Sequence, residues 1–240
     1  LGRVAGGAVR LGALGDGAGN WSLVFSADTP IEALAYLRTP DGFLTAMHDR
    51  ARGDGATWSV PMFNPGENTN QVSVLRVVNT ETRALTVQAQ GFDDAGQPGA
   101  LPLVFTVPAL SSVEWSAAEL EAGAVARGLG GRLGDGEGKW RLELQADGRI
   151  SVQSLLADPG GNVTNLSTVA RPSPGLPGTQ TLWFFPNAGN LEQQGFIRLI
   201  NRGDTGGEVQ IYGIDDAGQR SPGTASFTIG PRQSQQFNAQ

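Results

Sequence analysis

The chain repeats itself, and the repetition limits what it can fold into more than any single motif does. Gly12, Leu14, Gly15, Asp16, Gly17, Gly19 and Trp21 return 119 residues later as Gly131, Leu133, Gly134, Asp135, Gly136, Gly138 and Trp140. The register continues through Leu23/Leu142, Asp28/Asp147, Ile31/Ile150, Leu37/Leu156, Pro40/Pro159, Gly42/Gly161 and Thr45/Thr164. A three-residue insertion in the second copy then moves the spacing to 122, and Phe63/Phe185, Arg76/Arg198, Asn79/Asn201, Gly91/Gly213 and Phe105/Phe227 match. So does the block Asp93-Asp94-Ala95-Gly96-Gln97 with Asp215-Asp216-Ala217-Gly218-Gln219. Two copies of a unit of about 120 residues fill the chain, an ordinary domain size and too long a period for a solenoid. Beads on a string are expected.

Each copy reads as β. Residues 140–145 alternate strictly, with Trp140, Leu142 and Leu144 on one face and polar residues on the other, the pattern of a half-buried strand. Ala146-Asp147-Gly148 then reads as a turn, and Ile150, Val152, Ser154 and Leu156 as the inward face of the second arm of a hairpin. The first copy repeats this with Trp21, Leu23 and Phe25, then Ile31, Ala33, Ala35 and Leu37. Further strands are expected near 43–48, 57–63, 72–79, 84–92, 102–107 and 111–115, with turn signals every eight to twelve residues, as in a sandwich. One helical turn is expected where Ser116-Ala117-Ala118-Glu119 forms a capping box that Gly123 can close. The fold class predicted is all-β, as two tandem β-sandwich modules.

Two phases of the repeat are open. Cut at the repeat, the modules are 1–125 and 126–240, joined by a short Gly-rich stretch around 123–138 that limits bending. Cut at the long loop, one whole module is 57–170, flanked by half-modules 1–56 and 171–240. In that phase the halves need partner strands, from each other or from a neighbouring chain, and exposed strand edges of this kind drive polymerisation. The second copy reaches Asn238-Ala239-Gln240 where its capped turn should begin, so the chain is expected to be part of something longer.

Several chemistries are absent by composition. There is no cysteine, which removes disulfides, thiolate nucleophiles and zinc–thiolate sites. A single histidine, His48, removes any triad or metal cluster needing two, and no Gly-x-Ser-x-Gly elbow accompanies it. A net charge of -6 lacks the basic footprint of phosphate-backbone binding, so nucleic acid is not an expected partner. Lys139 is the only lysine among seventeen cations, the rest being arginine. The longest apolar run, Leu101 to Leu110, is broken by prolines and too short for a membrane helix. The glycines at 15, 17 and 19, and at 134, 136 and 138, fit neither a dinucleotide fingerprint nor a P-loop, and Asp16-Gly17 and Asp135-Gly136 read as hairpin turns.

The remaining candidates each have a functional and a structural reading. Asp93, Asp94, Asp215 and Asp216 can supply oxygen ligands to calcium, but Asp-Asp-Ala-Gly is also sound turn chemistry. Arg76 and Arg198 each sit in an apolar stripe, where a cation must be paired; a structural ion pair with Asp or Glu from a neighbouring strand or loop is predicted for both. Trp21, Trp115 and Trp140 fall on inward faces, whereas Trp58 and Trp183, if exposed, would offer a sugar-stacking surface. A glycosidase working by carboxylates alone would need two of them about 5–9.5 Å apart in one cleft.

The stretches Gly134-Asp135-Gly136-Glu137-Gly138-Lys139-Trp140, Ser154-Leu155-Leu156-Ala157-Asp158-Pro159, Phe196-Ile197-Arg198-Leu199-Ile200-Asn201 and Gly213-Ile214-Asp215-Asp216-Ala217-Gly218 resemble tandem modules of large secreted or surface proteins of Gram-negative bacteria. Residues 41–49 and Phe63-Asn64-Pro65-Gly66 share the resemblance, which covers nearly the whole chain. It implies immunoglobulin-like or fibronectin-like sandwiches found outside the cell or at its surface. The expected role is a non-catalytic structural or adhesive module, a spacer or filament-forming segment whose partners are neighbouring modules or identical chains end to end. The alternative is a module that binds carbohydrate or a host surface, or an accessory domain of a secreted enzyme.

Overall fold

Alternation builds one long strand, and the rest of the sheet is hung from it. The computed structural model describes residues 55–166 and 195–238, together with 20, 27–29, 36–38, 44–46, 185 and 189. The chain divides into two compact units, Leu1–Ala33 and Leu34–Gln240, and the elements below belong to the second. In chain order they are β1 (Tyr36–Arg38), β2 (Leu44–Ala46), β3 (Gly55–Phe63), β4 (Val72–Asn79), β5 (Leu85–Phe92), β6 (Leu101–Val107), β7 (Ser112–Ser116), α1 (Ala117–Ala122), β8 (Gly130–Arg132), β9 (Trp140–Ala157), β10 (Val163–Asn165), β11 (Phe196–Ile200), β12 (Gly207–Ile211), β13 (Ala225–Ile229) and β14 (Ser234–Asn238). The described protein is all-β apart from α1 and a single 3-10 turn at Val125–Arg127.

An eight-stranded antiparallel sheet runs β7-β4-β9-β5-β6-β8, with β3 and β10 also paired to β9. The first half of β9 pairs with β5, from Arg141 opposite Phe92 to Ala146 opposite Val87. Its second half pairs with β4, from Ile150 opposite Asn79 to Ala157 opposite Val72. At 146–150 the sheet forks, so β5-β6-β8 and β4-β7 curl into facing layers, as corners made by a strand that changes layer do. The core between them takes Leu75 and Val77 from β4, Val87 from β5, Leu103 and Phe105 from β6, Trp115 from β7, and Leu142, Leu144, Ile150 and Val152 from β9. Phe105 meets Trp115 across the layers edge to face, with centroids 5.7 Å apart. Full burial of each such side chain is worth about 1.5–3 kcal/mol.

The corner corrects one expectation. Asp147-Gly148 is not a hairpin turn; β9 passes through it as a single 18-residue strand. A tight hairpin turn needs backbone in the left-handed region, and Gly148 does not adopt it. The β4–β5 loop and the start of β5 hold the bend instead. Asp147 Oδ1 accepts the Thr86 N–H (2.9 Å), Glu81 Oε1 accepts the Arg149 N–H (2.8 Å), and Arg83 donates to the Asp147 carbonyl. The Gly-rich stretch around 123–138 is likewise no free joint. Its β8 pairs with β6, and a Cβ on Gly131, whose φ is 78°, would stand 1.9 Å from the Pro102 carbonyl oxygen.

The helical turn forms where the capping box places it. Ser116 caps α1 and accepts from the Glu119 N–H, while the Glu119 carboxylate accepts from the Ser116 N–H; Gly123 closes the helix. Partial burial acts to raise the Glu119 carboxyl, but the Ser116 N–H, the Arg127 guanidinium and the Ser116 hydroxyl together hold it below its ordinary value. A depressed carboxyl contributes stability above its unfolded pKa and loses it as pH falls through the folded one. Glu119→Gln should therefore flatten part of the acid limb of a stability–pH curve measured by urea unfolding, and Ser116→Ala should cost about 1 kcal/mol at neutral pH. An unchanged acid limb would mean that the box contributes nothing.

The strand pairs recur 122 residues on. Val74 opposite Ser116 (β4–β7) becomes Phe196 opposite Asn238 (β11–β14), and Leu85 opposite Val107 (β5–β6) becomes Gly207 opposite Ile229 (β12–β13). Irregular details recur too. Leu110 and Arg232 are the two described non-glycine residues with positive φ, at 54° and 55°. Each donates its N–H at 3.0 Å to an equivalent carbonyl, that of Glu81 or of Gly203. Asn79 Nδ2 bridges the Arg83 and Pro108 carbonyls as Asn201 Nδ2 bridges those of Thr205 and Gly230.

Candidate functional site

The two Asp-Asp loops are the same turn in different surroundings. In the first, the Asp93 N–H donates to the Gln97 carbonyl (3.0 Å), the Gly96 N–H to the Asp93 carbonyl (3.0 Å), and the Gln97 N–H to Asp93 Oδ1 (2.8 Å). In the second, Asp215, Gly218 and Gln219 make the same three bonds at 3.0, 2.9 and 2.7 Å. Gly96 and Gly218 supply the positive φ that the turn requires, 83° and 79°. The first loop is covered: a Cβ on Gly96 would meet the Pro231 carbonyl oxygen at 2.6 Å, whereas one on Gly218 would meet nothing within 4 Å. Asp93 is buried, and Asp215 and Asp216 are exposed.

What covers the first loop makes it a junction. Asp93 Oδ2 accepts the Glu137 N–H and Asp94 Oδ2 the Lys139 N–H, both at 3.0 Å, so the loop entering β9 docks here rather than forming a hairpin turn at Asp135-Gly136. Asp94 Oδ1 accepts from the Arg198 guanidinium of β11, and the Asp94 carbonyl accepts the Ser234 N–H (3.1 Å). Arg198 Nε also donates to the Pro61 carbonyl at 3.0 Å. Lys139 Nζ donates to Gln236 at 2.7 Å; burial first, then the Arg198 charge, push its ammonium below its ordinary value against the pull of Asp94. Both aspartates thus spend their carboxylates on N–H and guanidinium donors, which is turn and junction chemistry. Among the described residues, no group of three or more His, Asp or Glu stands together as ligands for a metal ion.

The two arginines of the apolar stripes find different acids. Arg76, 6 % exposed, pairs with Glu114 directly across the β4–β7 ladder. At the equivalent place Arg198 faces Gln236, which carries no charge, and its cation reaches instead to Asp94 of the first copy. One acid-to-amide difference between the copies, Glu114 against Gln236, thus redirects an ion pair within one ladder into a contact between copies.

Trp58 requires a correction. It is 2 % exposed, and its indole N–H donates to the Gly55 and Ile150 carbonyls, both at 2.9 Å, so it packs the core and offers no stacking face to a sugar. It points inward because β3 pairs with β9, placing Trp58 opposite Leu144. Trp183, Trp21 and His48 lie outside the described residues. Trp115 and Trp140 are buried.

Arg141 is a residue that alternation alone misplaces. It stands on the polar face of β9, yet its side chain is 1 % exposed. Its guanidinium lies 4.6 Å from the Phe92 ring, pairs with Glu143, and has Arg202 and Arg232 of the second copy nearby. Burial is the largest influence lowering its pKa, with Glu143 acting against it and the two arginines adding to it. No local pattern signals this, because Phe92, Arg202 and Arg232 all lie far from Arg141 along the chain.

No family model matches the chain, and no curated protein does. Nine chains of solved structures match it. Among them is the Anabaena sensory rhodopsin transducer, at 15 % identity over 42 % of this chain and 87 % of that one, with a TM-score of 0.33, too loose a likeness to bear on this chain.

Proposed function

We propose that the chain is built of tandem immunoglobulin-like sandwich modules acting as a non-catalytic structural or adhesive segment, a spacer, of a larger secreted or surface protein. The observation that carries this reading is the recurrence of ladder registers and irregular turns 122 residues apart, down to the positive φ of Leu110 and Arg232. The pairing of β9 with β3, β4 and β5 supports the phase in which one whole module is 57–170, flanked by half-modules 1–56 and 171–240. The polar side chains that looked most like chemistry, Asp93, Asp94, Arg76 and Arg198, hold turns, ladders and the junction. Among the described residues no helix is long and apolar enough to cross a membrane, which fits a bead that works by spacing.

A spacer resists tension as discrete units. Pulling the full chain end to end by atomic force microscopy should give an abrupt unfolding event that releases the length of residues 55–166, and a glycan array should read background. Gradual extension without such an event, or saturable binding to one glycan class, would replace this reading with that of a carbohydrate-binding module.

A further inference from the structure

Cations gather where the second copy lies on the sheet of the first. Arg141 stands opposite Phe92 in the β9–β5 ladder, and Glu143 stands opposite Ser59 in the β3–β9 ladder, so alternation puts these four side chains on one face. Two arginines of the second copy meet that face. Arg232 lies 5.1 Å from the centroid of the Phe92 ring, which Arg141 approaches at 4.6 Å, and Arg202 Nη2 donates to Ser59 Oγ at 2.6 Å. Three guanidinium groups thus share one small area, close enough for the charges of Arg202 and Arg232 both to act on Arg141. The acids do not balance them. Glu143 pairs with Arg141 and Asp204 with Arg232, and among the described residues no carboxylate pairs with Arg202.

The hydrogen bonds show the same surplus of donors. The Arg141 side chain is 1 % exposed, and among the described residues its Nε–H has no acceptor. Nor has the hydroxyl of Ser234, two residues beyond Arg232 and 3 % exposed. Like charges repel strongly away from water, and a buried donor on a cation is among the costliest groups to leave unpaired. We infer that Arg141, Arg202 and Arg232 hold a free inorganic oxyanion, sulfate or phosphate, at the junction of the two copies. Such an ion brings both negative charge and several acceptor atoms, and guanidinium forks match its geometry where they cannot match that of chloride. The depth of Arg141 selects a free ion over a sulfate or phosphate group carried on a membrane or polymer, whose bulk cannot follow it in. Arg232 and Glu143, with side chains 44 % and 42 % exposed, leave the way in from solvent. The bound ion clamps the 201–204 and 230–233 loops of the second copy to β9 of the first.

Calorimetric titration of the full chain with sodium sulfate and with sodium phosphate, against sodium chloride at matched ionic strength, tests the inference. Sulfate and phosphate should each bind saturably, and chloride should not. Arg202→Gln keeps a donor for Ser59 and should weaken sulfate about tenfold, as expected for one lost charge-assisted hydrogen bond. Arg220→Gln, in the exposed hairpin where Arg220 stacks on Tyr212, should leave sulfate binding unchanged. Glu143→Gln separates an ion site from a closed network of ion pairs. Freeing Arg141 from its acid should tighten sulfate, whereas a closed network binds no sulfate in the parent chain. Hydrogen exchange in 201–204 and 230–233 should slow with sulfate while β4 and β7 stay as they are. Absence of saturable binding overturns the inference, and is the result if another carboxylate of the chain completes the cluster; so does binding that Arg202→Gln and Glu143→Gln both leave unaltered. Either outcome leaves the spacer reading and its force experiment standing.

Discussion

Trp140→Ala should lower the stability of the eight-stranded sheet by about 3–5 kcal/mol, the range for emptying a buried aromatic site. Trp140 opens β9 and is 2 % exposed. Its ring packs so closely under the loop before it that a Cβ on Gly136 would stand 2.5 Å away, and one on Gly91 of β5 would stand 3.2 Å away. The indole N–H donates at 2.9 Å to Glu121 Oε1 on α1, and the same carboxylate accepts the Gly66 N–H of the β3–β4 loop at 3.0 Å. One side chain therefore ties the helix, the β3–β4 loop and the core strand together. Its loss leaves a cavity that three separate segments would have to close, and takes a donor from a part-buried carboxylate. Thermal unfolding followed by near-ultraviolet circular dichroism should show Tm falling by about 10 °C or more. Trp140→Phe keeps most of the ring volume and should cost about 1–2 kcal/mol through the lost hydrogen bond. Equal losses in the two variants would mean that volume contributes little and that the core is looser than its burial implies.

Much of this architecture was legible in the letters, and the failures share one cause. Alternation located β3 to β7 and both arms of β9, because a strand half-exposed to water records its own orientation. The capping box located α1, because both partners of each bond lie within four residues. Asp147-Gly148 misled, since the residues that make a tight turn also make a corner, and the bonds that decide between them come from Glu81, Arg83 and Thr86. Trp58 faces inward through pairing with a strand more than eighty positions away. Arg141 lies over Phe92 with Arg202 and Arg232 of the second copy nearby, and Arg198 finds its acid in the first. Local periodicity reports which side of a strand is wet; it does not report which distant segment lies on the other side. For Arg198 a signal was present, because aligning the copies sets Gln236 against Glu114 and removes the cross-strand acid.

Asp94→Ala should cost about 3 kcal/mol, and Asp216→Ala, the same change in the equivalent turn, should stay within about 0.5 kcal/mol. Asp94 holds the Lys139 N–H and the Arg198 guanidinium, and the Arg198 side chain is 9 % exposed. Removing the carboxylate leaves a nearly buried cation whose other bond is to the Pro61 carbonyl, and an uncompensated buried charge is what makes a broken pair expensive. Asp216 is exposed in an identical turn, so the contrast subtracts the cost of the turn and isolates the junction. The loss should be directional: hydrogen exchange in β11 and β14 should quicken more than in β4 and β7, whose ladder carries the separate Arg76–Glu114 pair. Adding Arg198→Met to Asp94→Ala should recover part of the stability, because an apolar side chain of similar length does not need a counter-charge in that position. If Asp94→Ala and Asp216→Ala behave alike in guanidinium unfolding, the junction contributes nothing to folding, and β11 to β14 are held by their own ladders alone.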